Sequence, residues 1–209
     1  MMVSDKAYYK HLLNTSDKKM KEEIYEVRWH GRGGQGVVTS SELLALAALR
    51  EGKHVYHAPE FGPERRGAPV RAYTRISTHP IELHSSIYTP DAVVVIDPSL
   101  QSEVQSVTHG LREGGLLVVN ASTPHEGIVE AAKKLKAGLW FVDAYSIAME
   151  VFGRPFYNTP MLGAFVKASG LVSINTVLDV VAERFGKESK LAESNVQAVR
   201  KAYETVRRL

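Results

Sequence analysis

The residues best suited to chemistry fall in two short stretches rich in glycine and arginine. The first is Gly31-Arg32-Gly33-Gly34-Gln35-Gly36, a G-x-G-x-x-G spacing between a strand-like run and a helix-like one. Glycines at such a turn let the backbone approach a ligand closely, and the unpaired amides heading the next helix point at an anion. A dinucleotide site would also want an acid about 20 positions further on to hold the ribose. That region reads His54-Val55-Tyr56-His57, with Glu60 the nearest acid, so a nicotinamide cofactor is poorly matched. The same glycines could equally serve only to pack strand against helix, and the motif alone leaves phosphate binding and packing open. The second stretch, from Glu60 to Arg71, holds the adjacent pair Arg65 and Arg66 among prolines and glycines. Two planar guanidinium forks suit phosphate or carboxylate. A solvated turn with internal Glu–Arg pairing is the plainer reading, but a long, rigidified loop favours a contact with a partner or ligand.

Other chemistries find little support. The chain has no cysteine, which removes disulfides, thiolate zinc sites, cysteine nucleophiles and iron–sulfur clusters ligated by this chain. Its eight histidines are scattered over separate segments, and His54 and His57 on one strand point to opposite faces. No metal cluster is legible, and no G-x-S-x-G elbow supports a serine hydrolase. Asp91, Asp97 and Asp143 flank apolar runs, where an acid usually ends the strand and caps the next helix. Trp140, Phe141 and Tyr145 suit core or interface better than cofactor contact.

The elements that must position these residues follow from periodicity. Residues 24–29 alternate as a strand, 37–50 repeat at helical spacing, and 54–57 form a short second strand before an irregular loop at 58–67. Residues 69–77 read as an extended strand, and 80–83 as a further short one. The apolar runs at 91–97, 115–120 and 138–143 are strands buried on both faces, separated by helices near 100–109 and 128–135. The last third reads as helical, over 161–168, 175–185 and 191–208, with Val196, Val199, Tyr203 and Val206 as one apolar stripe. Strands alternating with helices imply right-handed crossovers. The expected fold is a three-layer, Rossmann-like α/β domain with a mostly parallel sheet, an antiparallel excursion around 69–83 and a helical C-terminal region.

At 209 residues, 44% hydrophobic and 23% charged, the composition is that of a soluble globular protein. Residues 24–209 are expected to form a single domain. The polar, Lys-rich stretch 1–23 is expected to be a poorly ordered extension, unless translation begins at Met20. No window of about 18 apolar residues could span a membrane, and 1–19 lacks the apolar core of a signal peptide, so a cytoplasmic location is expected. The net charge of +3 is small and dispersed. No aromatic platform is interleaved with the basic residues, which argues against a nucleic-acid binding module.

Several stretches together resemble one family: the gamma subunit of the pyruvate/2-ketoisovalerate type of 2-oxoacid:ferredoxin oxidoreductase. They are Arg28-Trp-His-Gly-Arg-Gly-Gly-Gln-Gly-Val37, Phe61-Gly-Pro-Glu-Arg-Arg-Gly-Ala-Pro-Val70 with Arg75-Ile-Ser77, Pro90-Asp-Ala-Val-Val-Val-Ile-Asp-Pro98, Asn158-Thr-Pro-Met-Leu-Gly-Ala164, and the C-terminal helix containing Asn195. Many relatives carry Gly-Gly where this chain has Gly67-Ala68, a departure similar to the pyruvate branch. The resemblance implies oxidative decarboxylation of pyruvate with coenzyme A to acetyl-CoA and CO2, with electrons passing to ferredoxin. It implies thiamine diphosphate, Mg2+ and iron–sulfur clusters on alpha, beta and delta partner subunits, with coenzyme A as co-substrate. No cofactor, catalytic residue or metal ligand is assigned to this chain alone. By the same resemblance Gly33, Gly34, Gln35, Gly36, Arg65 and Arg66 would face the coenzyme's phosphates or a subunit interface. The alternatives are a gamma subunit of the 2-ketoisovalerate or another 2-oxoacid enzyme, and a free-standing nucleotide-binding oxidoreductase.

Overall fold

A computed structural model describes residues 24–60 and 67–209. The extension at 1–23, Arg65 and Arg66 lie outside the described residues. In chain order the elements are β1 (Ile24–Arg32), α1 (Val37–Arg50), β2 (His54–Glu60), β3 (Pro69–Ser77), β4 (Ala92–Val95), a 3₁₀ turn (Pro98–Ser102), α2 (Val104–Thr108), β5 (Leu116–Asn120), α3 (Glu126–Lys134), β6 (Gly138–Val142), α4 (Ala144–Phe152), α5 (Asn158–Ser169), α6 (Ile174–Arg184), α7 (Lys190–Thr205) and β7 (Arg207–Arg208).

The strands form one seven-stranded sheet in the order β2-β3-β1-β4-β5-β6-β7. β1, β4, β5 and β6 are parallel neighbours, while β3 and β7 run against them. β2 pairs antiparallel with β3 and so shares the direction of the parallel set. The apolar runs alternate their side chains between two cores, as the pleat requires. Val94 and Val118 join Trp29, α1, α5, α6 and α7 on one side, whereas Val93, Val95, Leu117 and Val119 meet α2 and α3 on the other. This is the three-layer arrangement expected.

Two helices cross unusually closely. A Cβ on Gly163 of α5 would lie 2.1 Å from the Val199 carbonyl oxygen of α7, and the buried face of α7 carries Ala192, Ala198 and Ala202. In that crossing Thr159 Oγ1 donates to Asn195 Oδ1 at 2.9 Å.

Local sequence accounts for several differences from the expected elements. Strand β2 runs on through Pro59 to Glu60, because it is the sheet's edge and a proline there forfeits no ladder bond. Residues 80–83 form no strand; their backbone instead serves the Arg75 side chain. The stretch read as one helix over 100–109 divides into the 3₁₀ turn and the short α2, with Pro98 at the head of the turn. Helix α4 follows β6 directly, capped by Asp143, which accepts from Ser146 N at 2.9 Å. α7 stops at Thr205, and after Val206 the residues Arg207 and Arg208 pair with β6 as Arg207 lies over the Phe141 ring.

Candidate functional site

β1 and β4 are adjacent and parallel, yet the chain leaves β1 towards β2 on one side and leaves β4 towards β5 on the other. In open α/β sheets such a reversal opens a crevice at the carboxyl ends of the two strands, where ligands bind. The 31–36 turn sits at one lip, and the Asp97-Pro98-Ser99 corner at the other.

The turn is held by its own side chains. Arg32 N donates to Gln35 Oε1 at 2.8 Å, and Gln35 N closes back on Arg32 O at 3.1 Å. Gln35 Nε2 crosses the crevice to Asp97 Oδ2. Gly34 and Gly36 have φ of +90° and +74°, which only glycine adopts without strain. Gly36 is also crowded, since a Cβ there would come within 2.9 Å of the Asn158 side chain at the head of α5. Gly36 at the N-cap position makes no side-chain cap bond to α1, so among the described residues its leading amides open towards the crevice.

Asp97 organises the opposite lip. It accepts from Ser99 N at 2.8 Å and lies 3.7 Å from Arg32 Nε. Burial would raise its carboxyl, but hydrogen bonds from Ser99 and Gln35, with the charge of Arg32, hold it below the usual carboxylate range. Arg32 also donates to Ser99 Oγ at 3.2 and 3.0 Å and comes within 3.8 Å of Glu103. Tyr157 and Tyr145 form the outer wall with ring centroids 6.5 Å apart. Burial, with the nearby Asp97 charge, raises the Tyr157 hydroxyl.

The two sequence motifs meet. Gly33 N donates to Ala68 O at 2.9 Å, Gly67 N to Gly33 O at 3.4 Å, and Arg32 Nη1 to Gly67 O at 3.3 Å. The glycine turn is therefore laced to the chain as it leaves the Arg65–Arg66 loop. Of the six candidate residues, Gly33, Gly34, Gln35 and Gly36 lie together at the crevice, and Arg65 and Arg66 lie outside the described residues. Sequence reasoning missed Asn158 and Tyr157 as walls and placed Asp97 only as a cap. Asp97 caps the 3₁₀ turn as expected and also grips Gln35, whereas Asp91 accepts from Glu26 N and pairs with Arg112 instead of capping. Phe141 is buried, and Tyr145 is half exposed.

Other candidate centres do not assemble. Ser41 Oγ donates to Val38 O at 2.9 Å and meets His57 Nε2 at 2.9 Å, so the hydroxyl proton is committed to a carbonyl and no nucleophile–base pair results. Among the described residues no group of three or more His, Asp or Glu is placed to hold a metal. Two clefts, of about 430 and 450 Å³, lie elsewhere: one at the amino ends of the parallel strands, the other between α1 and α6.

The family model for pyruvate ferredoxin/flavodoxin oxidoreductase matches residues 26–205, a span that takes in the turn, the arginine loop and the helices behind them. The chain belongs to this family. Within it, the chain is 50% identical over 181 residues to the pyruvate/ketoisovalerate oxidoreductases common subunit gamma of Thermococcus litoralis, covering 87% of this chain and 96% of the relative. It is 45% identical over 186 residues to pyruvate synthase subunit PorC of Methanothermobacter thermautotrophicus, covering 89% and 98%. The crystal structure of pyruvate oxidoreductase subunit PORC from Thermotoga maritima shares the fold with a TM-score of 0.76 at 38% identity, covering 89% and 98%. The match takes in almost the whole length of each of these relatives, and the mixed sheet is the family's architecture.

Proposed function

We propose that this chain is the gamma subunit of a multi-subunit pyruvate:ferredoxin oxidoreductase, which converts pyruvate and coenzyme A to acetyl-CoA and CO2 and reduces ferredoxin. The observation that carries the reading is half-identity to gamma subunits across almost their whole length, together with the glycine turn hydrogen-bonded to the base of the arginine loop. With no cysteine in the sequence, the iron–sulfur clusters belong to alpha, beta and delta partners, as do thiamine diphosphate and Mg2+. The complex works in the cytoplasm; no helix of the described residues is long and apolar enough to cross a membrane.

The chain's own contribution is on the substrate side. The open α1 amides beside Gly33, Gly34, Gln35 and Gly36, with Arg65 and Arg66, face the phosphates of coenzyme A or the adjoining subunit. A phosphate there gains charge-assisted hydrogen bonds without displacing an internal cap. Arg65→Ala/Arg66→Ala in the reconstituted complex is expected to raise the Michaelis constant for coenzyme A and leave that for pyruvate unchanged. An unchanged constant at full activity contradicts the coenzyme assignment. A second reading, in which the same subunit also serves a 2-ketoisovalerate enzyme, is favoured by the shared-subunit name of the Thermococcus relative; activity of the complex on both 2-oxoacids tests it.

A further inference from the structure

The helix layer formed by α2 and α3 covers β4, β5 and β6 but stops short of the antiparallel end of the sheet. There β1 presents Glu26, Arg28, His30 and Arg32, β3 presents Arg71, Tyr73 and Arg75, and β2 presents Tyr56 and Glu60, all on one face by register. Arg75 is neutralised by Glu26 at 2.8 Å and pins the segment ahead of β4 by donating to Leu83 O and Ser85 O. Arg28 is different. It is 4% exposed and has no carboxylate partner among the described residues, for its Nε donates to His30 Nε2 at 2.9 Å and its Nη2 to the carbonyls of Val107 and His109 at 3.2 and 2.6 Å.

Two donors are left over. Arg28 Nη1 has no hydrogen-bond partner among the described residues, and neither does His30 Nδ1. Both side chains are almost covered, Arg28 at 4% and His30 at 3% exposure. The bond from Arg28 Nε requires an unprotonated Nε2, which places the proton of the neutral imidazole on Nδ1 and makes it a donor. Arg71 stands directly across from His30 in the β1–β3 ladder, and its side chain is 41% exposed. The acid facing this group, Glu60, is 3.9 Å from Arg71 and already accepts the Tyr73 hydroxyl. Among the described residues two guanidinium charges are thus opposed by one carboxylate, and the free polar atoms are all donors.

We infer that Arg28, His30 and Arg71 form a socket for a carboxylate side chain of a protein partner docked on this open sheet face. Donors without acceptors select an oxyanion, and planar guanidinium forks match a carboxylate's two oxygens. The surrounding face exposes Leu83 and Tyr88, apolar and aromatic surface of the kind that surrounds such an anchor in protein interfaces. A buried, incompletely paired guanidinium costs stability when the chain is alone, and a partner's carboxylate removes that cost only in the assembly. The inference rests on the reading of this chain as a subunit of a complex.

The test is association of the full chain with its separately produced partner subunits, titrated at low and moderate salt. Arg71→Ala, at a half-exposed side chain, is expected to keep the wild-type melting temperature while weakening association roughly tenfold and flattening its salt dependence; Arg28→Lys, which keeps the charge but loses the fork, is expected to weaken it further. Arg200→Ala, on the exposed side of α7, should change nothing. Wild-type association unaltered by Arg71→Ala and Arg28→Lys overturns the socket, even where Arg28→Lys also lowers the melting temperature. Wild-type chain that binds inorganic phosphate in a manner abolished by Arg71→Ala, with assembly unaffected, also overturns it in favour of a small-anion site. Wild-type chain that binds no partner refutes the subunit reading itself.

Discussion

Substituting alanine through the glycine turn separates two reasons for glycine and gives each a measurable signature. At Gly31 the backbone is extended, but an added Cβ would lie 2.5 Å from Val37 Cγ2, short by about 0.9 Å of the 3.4 Å at which ordinary contact begins. Val37 is 2% exposed and opens α1, so it has no free direction in which to yield. Overpacking of this kind costs about 1–3 kcal/mol, from which about 0.5–1 kcal/mol returns as lost chain entropy of glycine. Gly31→Ala is therefore expected to cost up to about 2.5 kcal/mol. At Gly34 an added Cβ meets nothing within 4 Å, and the cost is only that of holding an L-residue at positive φ, about 1–2 kcal/mol. The two single variants look alike, but their couplings to Val37 do not. In urea denaturation of the full chain followed by circular dichroism, Gly31→Ala and Val37→Ala should couple by about 1 kcal/mol in the relieving direction. Gly34→Ala and Val37→Ala should add to within about 0.5 kcal/mol. Additivity at Gly31, or coupling at Gly34, refutes the contact geometry on which the crevice is built.

Gly163→Ala should lower the melting temperature although alanine favours helix by about 1 kcal/mol, because the obstructing atom is α7 backbone and the helices must separate; a melting temperature at or above wild type contradicts that crossing. Arg75→Met should destabilise by about 3–5 kcal/mol, since it leaves Glu26 buried with only Arg112 at 3.5 Å, and Glu26→Gln/Arg75→Met should recover part of the loss in urea denaturation. Burial, reinforced for His30 by Arg28 and Arg71, holds His30 and His57 below the usual histidine value of 6.5, so the unfolded chain takes up protons first as pH falls. Their neutral forms confer stability that is fully present above about pH 7 and is lost progressively as pH drops through the unfolded value towards the folded one. His57→Gln should flatten the decline between about pH 7 and 5, and an unchanged slope contradicts the assignment. Asp97, held low, acts in a separate window, its contribution persisting above 3.8 and fading only as pH falls through its folded value.

The parallel half of the sheet was legible because its strands are buried on both faces and write themselves as uninterrupted apolar runs, as in Ala92–Val95 and Leu116–Asn120. The edge was not, since Pro59 reads as a breaker unless the strand is known to have a free side. Helix α4 escaped because Ala144–Phe152 follows the strand after a single residue, its own cap Asp143, and so reads as a continuation of the apolar run. The glycine turn and the arginine loop could be named from local sequence, and their juxtaposition could not. It depends on β1 pairing with β3 and β4 at once, contacts between residues more than 35 positions apart that leave no local trace. Asn158 illustrates the same limit: it stands over Gly36 from 122 positions away, and only the packing of α5 brings it there. The socket residues Arg28 and His30 looked like an ordinary alternating strand.

Omission and re-addition show whether this chain completes an enzyme whose redox chemistry lies on other subunits. The alpha, beta and delta subunits are assembled without this chain, and coenzyme A-dependent reduction of ferredoxin by pyruvate is measured before and after it is added. The expected result is negligible turnover without the chain and recovery to a stoichiometric plateau on addition, with the chain alone binding neither NAD(P) nor flavin. Full coenzyme A-dependent activity in its absence, or a chain that remains alone and binds a nucleotide cofactor, would contradict it.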